Sequence, residues 1–98
     1  MKLRLSELAQ QQIEEIDAWW REHREAAPLL FREELREAVL LIESNPEIGT
    51  PYLRAAKLYR WVLLPKTRHL LYYEFDKEAG LLAVTTLWNA RRGSGPKL

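Results

Sequence analysis

Arg60 is the one charge inside Leu58-Tyr59-Arg60-Trp61-Val62-Leu63-Leu64, a run that otherwise reads as a buried strand. By alternation it shares a face with Leu58, Val62 and Leu64, where an unpaired charge is costly. Such an arginine pairs with a carboxylate on the next strand (Glu74 is the candidate), snorkels to the sheet edge, or holds its guanidinium ready for a phosphate or carboxylate. Arg91 and Arg92 raise a similar question. They follow a strand-like run that ends at Leu87-Trp88 and breaks into Asn89, and Gly93 and Gly95 would let the chain turn close to a bound partner. The plain alternative is a solvated pair at a strand end.

Other cations gather in the same half of the chain: Arg54, Lys57, Lys66 and Arg68. The four tyrosines and Trp61 are able to stack on nucleobases, although aromatics in strands more often fill cores. Groups that could move a proton are few. His69 opens a strand and reads as an exposed strand-end imidazole. His23 closes a helix, where its charge suits the negative end of the dipole. Glu74 is polar among Leu70 and Tyr72 and reads as an arginine's partner. No Ser-His-Asp set, phosphate-cradling glycine loop or paired-carboxylate signature occurs. Cysteine is absent and the two histidines are far apart, so disulfides and thiolate sites are excluded and neither metal nor cofactor is expected.

The elements that must position these residues show in the periodicity. Lys2-Leu3-Arg4-Leu5 alternates and predicts a short strand, and Ser6 is placed to cap a helix beginning at Glu7. Ala9, Ile13, Ile16 and Trp20 then mark one helical face; Phe31, Leu35, Ala38 and Ile42 mark a second after Pro28. Asn45-Pro46 stops that helix. Past Gly49 and Pro51 the period becomes two, predicting strands over 58–64, 69–75 and 81–88 joined by short turns. The fold class is α+β, a two-layer β-α-α-β-β-β order with a helical hairpin packed on a mainly antiparallel sheet. The edge that the first strand joins stays open.

At 98 residues the chain is expected to be a single domain, 1–98. Its net charge of +1 hides an asymmetry: residues 1–50 carry 6 Lys/Arg against 11 Asp/Glu, and residues 51–98 carry 9 against 3. An anionic partner is therefore sought on the second half. The N-terminus lacks an apolar signal core, no apolar run reaches membrane-spanning length, and a cytoplasmic location with no membrane contact is expected.

With these landmarks placed, the chain resembles the RelE/ParE family of toxins from bacterial type II toxin–antitoxin systems. The resemblance rests on the element order together with Asn45-Pro46-x-x-Gly49, Arg60, the Tyr72-Tyr73 strand and the closing Ala90-Arg91-Arg92-Gly93, and it spans nearly the whole chain. It implies growth inhibition, silencing by a cognate antitoxin, and contact with operator DNA only through that antitoxin. It also implies one of two targets: DNA gyrase for ParE-like members, or mRNA on the ribosome for the RelE-like endoribonucleases. A nuclease would use Arg60, His69, Arg91 and Arg92. Target or antitoxin binding would use Arg60, Arg68, Asn89, Arg91 and Arg92. Asn89 stands where many relatives have His, and residues 93–98 hold neither His nor Tyr. Asparagine cannot serve as acid or base near neutral pH. The resemblance therefore favours the ParE-like activity, with mRNA cleavage or a non-catalytic antitoxin-binding module as alternatives; enzyme activity is left open.

Overall fold

Ser6 shows how local chemistry sets the frame. Its Oγ accepts a hydrogen bond from Ala9 N (3.0 Å), capping a helix, and donates to Thr85 O (2.8 Å), tying that helix start to the far end of the chain. The computed structural model describes residues 1–90. The elements in order are β1 (Lys2–Leu5), α1 (Glu7–His23), α2 (Leu30–Ser44), β2 (Thr50–Arg54), β3 (Lys57–Leu64), β4 (His69–Asp76) and β5 (Leu81–Asn89). One five-stranded sheet forms in the order β1-β5-β4-β3-β2. β1 runs parallel to β5 and the other pairs are antiparallel.

Both helices lie against one face of that sheet. Ala9, Phe31, Ala38 and Ile42 meet Leu64, Leu71, Tyr73, Leu82, Val84 and Leu87 in a single core, with Ile13, Ile16, Trp20 and Leu35 packed around it. The helical residues among them, with Leu64, are those that the helical and alternating periods single out, whereas Leu58 is exposed. The parallel β1 sits at the edge beside β5, which settles the open question of its place.

β1 covers β5 only from Leu81 to Val84. Beyond it the exposed edge of β5 is closed by side chains: Ser6 reaches Thr85 O, and Gln12 Oε1 accepts from Leu87 N (2.8 Å) and Thr86 Oγ1 (3.0 Å). The ladder shifts register here, with Tyr72 opposite Thr86 and Tyr73 opposite Val84, so Thr85 is the extra residue of a bulge.

β2 corrects the predicted order, which lacked this strand. It is an edge strand containing Pro51, a residue that sheets accept only where one side has no partner. Its hairpin to β3 turns through Ala55 (φ 52°) and Ala56 (φ 61°), both left-handed, in place of the Asn-Gly that usually marks such a turn.

Candidate functional site

Arg60 is built into the scaffold. Its Nη1 donates to Glu47 O and Gly49 O, both at 3.0 Å, and so pins the loop leaving α2. Tyr73, its cross-strand partner, holds the same loop, donating from its hydroxyl to Pro46 O (2.7 Å) and accepting from Gly49 N (3.0 Å). Burial pushes the Tyr73 phenol pKa up, against the opposing effects of the Gly49 hydrogen bond and the Arg60 charge. A Cβ on Gly49 would stand 2.6 Å from the Tyr73 hydroxyl and 2.9 Å from Arg60 Cβ, so only glycine fits. The Asn45-Pro46-x-x-Gly49 landmark is thus a clasp closed by Arg60 and Tyr73.

The expected Arg60–Glu74 pair does not form. Arg60 lies opposite Tyr73, on the face the helices cover, so Glu74 points to the other face. There Glu74 Oε1 meets Lys57 Nζ at 3.0 Å. The same outer face carries Tyr52, Tyr59, Trp61 and Tyr72; Tyr59 and Tyr72 are buried, and the Tyr52 and Tyr72 rings meet edge-on at 5.4 Å.

His69 departs from the exposed strand-end reading: it is only 8% exposed. The Phe31 ring packs edge-on against it at 5.5 Å. Burial lowers its pKa, opposed by the Glu34 charge and the Thr67 backbone, so the imidazole is neutral at neutral pH. Its Nδ1 is buried and makes no hydrogen bond of good geometry.

Glu34, absent from the sequence-based candidates, organises this corner. Its carboxylate accepts from Lys66 N (2.7 Å), Thr67 N (2.8 Å) and Thr67 Oγ1 (2.8 Å), holding the β3–β4 turn against α2. The signal was present in the sequence: Glu34 lies three residues after Phe31 and four before Ala38, on the apolar side of the helix. Arg68, in the same turn, adopts φ 64°, donates from its N to Leu64 O and accepts from Ala90 N at its carbonyl, both at 2.8 Å. His69 pairs in register with Asn89.

The structure therefore brings Arg68, His69 and Asn89 together where β5 ends. Arg60 is separate, four residues along β3 from the partner of His69, about 13 Å at strand rise. Arg91 and Arg92 lie outside the described residues.

Beside this corner a cleft of about 680 Å³ opens between α1 and the sheet, lined by Trp19, Trp20, Arg24, Lys66, His69 and Asn89 among others. Its α1 wall is pre-assembled. The His23 ring stacks on Trp19 at 4.7 Å with planes 13° apart, and its Nδ1–H donates to Trp19 O (2.9 Å). The Arg24 guanidinium lies 5.0 Å from the Trp19 ring and 5.7 Å from that of Trp20. Periodicity concealed Trp19, which falls off the apolar stripe.

The sequence pattern of the family described as "ParE toxin of type II toxin–antitoxin system, parDE" matches residues 3–93. The chain belongs to the ParE toxin family. It is a toxin of a type II toxin–antitoxin system within the wider RelE/ParE group. Among curated proteins none matches it in sequence. Solved structures share its fold, two E. coli toxin structures among them. The toxin in the intact Escherichia coli RelBE toxin–antitoxin complex is 21% identical, with a TM-score of 0.64 over 93% of this chain and 98% of that one. The isolated E. coli RelE toxin is also 21% identical, with a TM-score of 0.64 over 94% of this chain and 86% of its own. For this ParE-family chain the likeness establishes the α+β arrangement of hairpin on sheet. Among the described residues no helix is long and apolar enough to cross a membrane, and no group of His, Asp and Glu could hold a metal ion.

Proposed function

We propose that this toxin arrests growth by binding DNA gyrase, without cutting RNA, and that a cognate antitoxin neutralises it. The observation that carries the reading is the state of His69. It is the imidazole nearest the end of β5, and it is buried against Phe31 and faces Asn89 across the ladder. General acid–base cleavage needs a proton carrier within reach of substrate. A poison that works by occupying its target needs only a surface. The antitoxin half of the reading draws support from the similar RelE chain, which was crystallised within a toxin–antitoxin complex.

Purified toxin is expected to inhibit supercoiling by gyrase and to leave mRNA on translating ribosomes intact. Ribosome-dependent cleavage without gyrase inhibition would reverse the assignment. That alternative has one observation in its favour: the His69 ring lines the cleft, and its Nδ1 makes no hydrogen bond of good geometry. His69→Ala would then abolish cleavage in a folded protein. The Arg91–Arg92 pair is proposed to serve the toxic contact, so Arg91→Ala with Arg92→Ala should remove growth arrest while the melting temperature stays that of wild type. A folded, fully toxic double variant would reduce the pair to solvated surface.

A further inference from the structure

Ala90 immediately precedes Arg91 and Arg92, and its backbone is held by the turn between β3 and β4. Its N–H donates to Arg68 O (2.8 Å), one residue past the last ladder pair, His69 with Asn89. That bond depends on where the Arg68 carbonyl points. Arg68 sits at φ 64°, and its own N–H closes the turn onto Leu64 O (2.8 Å). A residue other than glycine stays in this region only where its surroundings hold it. Here the holding group is Glu34. Its Oε2 accepts from Lys66 N at 2.7 Å, and its Oε1 accepts from Thr67 N and Thr67 Oγ1, each at 2.8 Å. The two peptide N–H groups just before Arg68 are thereby fixed. The helix that carries Glu34 cannot give way, because Phe31 and Ala38 on the same face are 0% and 7% exposed. Glu34 is itself buried. A buried carboxylate is a costly way to stabilise a turn, and an apolar contact would do that task as well. What the carboxylate supplies in addition is direction.

We propose that Glu34 is a positioning residue for the toxic contact. Acting through the Lys66 and Thr67 N–H groups and then the Arg68 carbonyl, it sets the point at which the chain passes from Ala90 to Arg91 and Arg92. It also fixes the backbone of Arg68, which is exposed on the same turn. The inference rests on the reading that Arg91 and Arg92 serve that contact, and the antitoxin has no part in it. Cations that start from a locked backbone lose less freedom on binding and meet a target in one geometry.

The test uses full-length toxin and three readouts: inhibition of gyrase supercoiling, the inducer level needed for growth arrest, and hydrogen exchange at the Ala90 amide. Glu34→Gln keeps the shape but sets an NH2 group against a backbone donor. It should speed exchange at Ala90 about tenfold or more, with the Leu71 and Tyr73 amides in the core of β4 far less affected. It should also raise the toxin concentration for half-inhibition about tenfold. Ile42→Val, or Ile42→Ala where a larger fall in melting temperature is needed for the match, is the control for stability alone. It should keep potency within about threefold and leave Ala90 protected relative to the core. Should Glu34→Gln fail to fold, Thr67→Val removes only the hydroxyl donor and should give the same pattern at about threefold. Unchanged potency in folded Glu34→Gln overturns the proposal. So does a loss that the matched Ile42 variant reproduces, which would make Glu34 a stabilising residue only. Lost potency with Ala90 protection intact overturns it too, because the path through Arg68 would then carry nothing. A wild type that arrests growth without inhibiting gyrase fails the gyrase reading alone. The inducer level and Ala90 exchange would then still decide the role of Glu34.

Discussion

At the scale of residues, the charges that stand out in the sequence divide between scaffold and surface, and burial decides which is which. Arg60 is legible as an anomaly because it breaks an apolar strand face, yet its partners are backbone carbonyls, which no pattern of residue types displays. Arg60→Ala leaves two carbonyls without their donor and should cost about 1.5–3 kcal/mol in urea unfolding, since hydrogen bonds to charged groups are the stronger class. Wild-type stability with lost toxicity would instead make Arg60 a binding residue. His69 gives a pH signature. Its folded pKa lies below the usual 6.5, chiefly through burial, so the unfolded chain takes up the proton first as pH falls. The contribution to stability is complete above 6.5 and is lost as pH drops through that value toward the folded pKa. His69→Leu should remove this component, so the stability gap between wild type and variant should narrow or invert between about pH 7.5 and about pH 5.5. A gap independent of pH would mean that the ring titrates normally.

Elements emerge from periodicity where one face is wet and the other dry, which is why α1, α2 and the β3–β4–β5 meander are readable from residue types. β2 is not, for physical reasons. Its residues Thr50-Pro51-Tyr52-Leu53-Arg54 lack an apolar alternation, and its pairing comes from β3 rather than from its own side chains. The turn that returns the chain to β3 is equally silent, because Ala55 and Ala56 carry positive φ without the residue types that favour it. Each left-handed non-glycine residue costs on the order of 1 kcal/mol. Replacing the pair with Asn-Gly, as Ala55→Asn with Ala56→Gly, should therefore stabilise the protein by about 1–2 kcal/mol, seen as a higher urea midpoint at unchanged slope. A lower midpoint would show that the hairpin is held in another way. The cleft was hidden for a related reason: it is made where α1 meets a turn distant in the chain, and Trp19 belongs to neither repeat.

Over the whole molecule, the acidic and basic halves of the sequence become layers. Residues 7–44, the helical hairpin, hold ten carboxylates and four arginines, whereas β1 returns Lys2 and Arg4 to the sheet and its basic strands. A protein polarised in this way should meet a charged partner at a rate that falls steeply with salt, while dissociation changes little. Stopped-flow association with the antitoxin at two ionic strengths checks it, and a salt-independent on-rate would show that shape alone guides the encounter. The sheet's two margins bear on another matter, the tendency of chains to stick to one another. One margin is β1, four residues long; the other is β2, where Pro51 interrupts the row of N–H groups that a neighbouring strand would grip. Leu53, 72% exposed beside it, would otherwise make this margin adhesive. The proline thus works as a guard during the interval when the toxin is free, and Pro51→Val should yield a protein that folds but precipitates or forms fibrils on concentration.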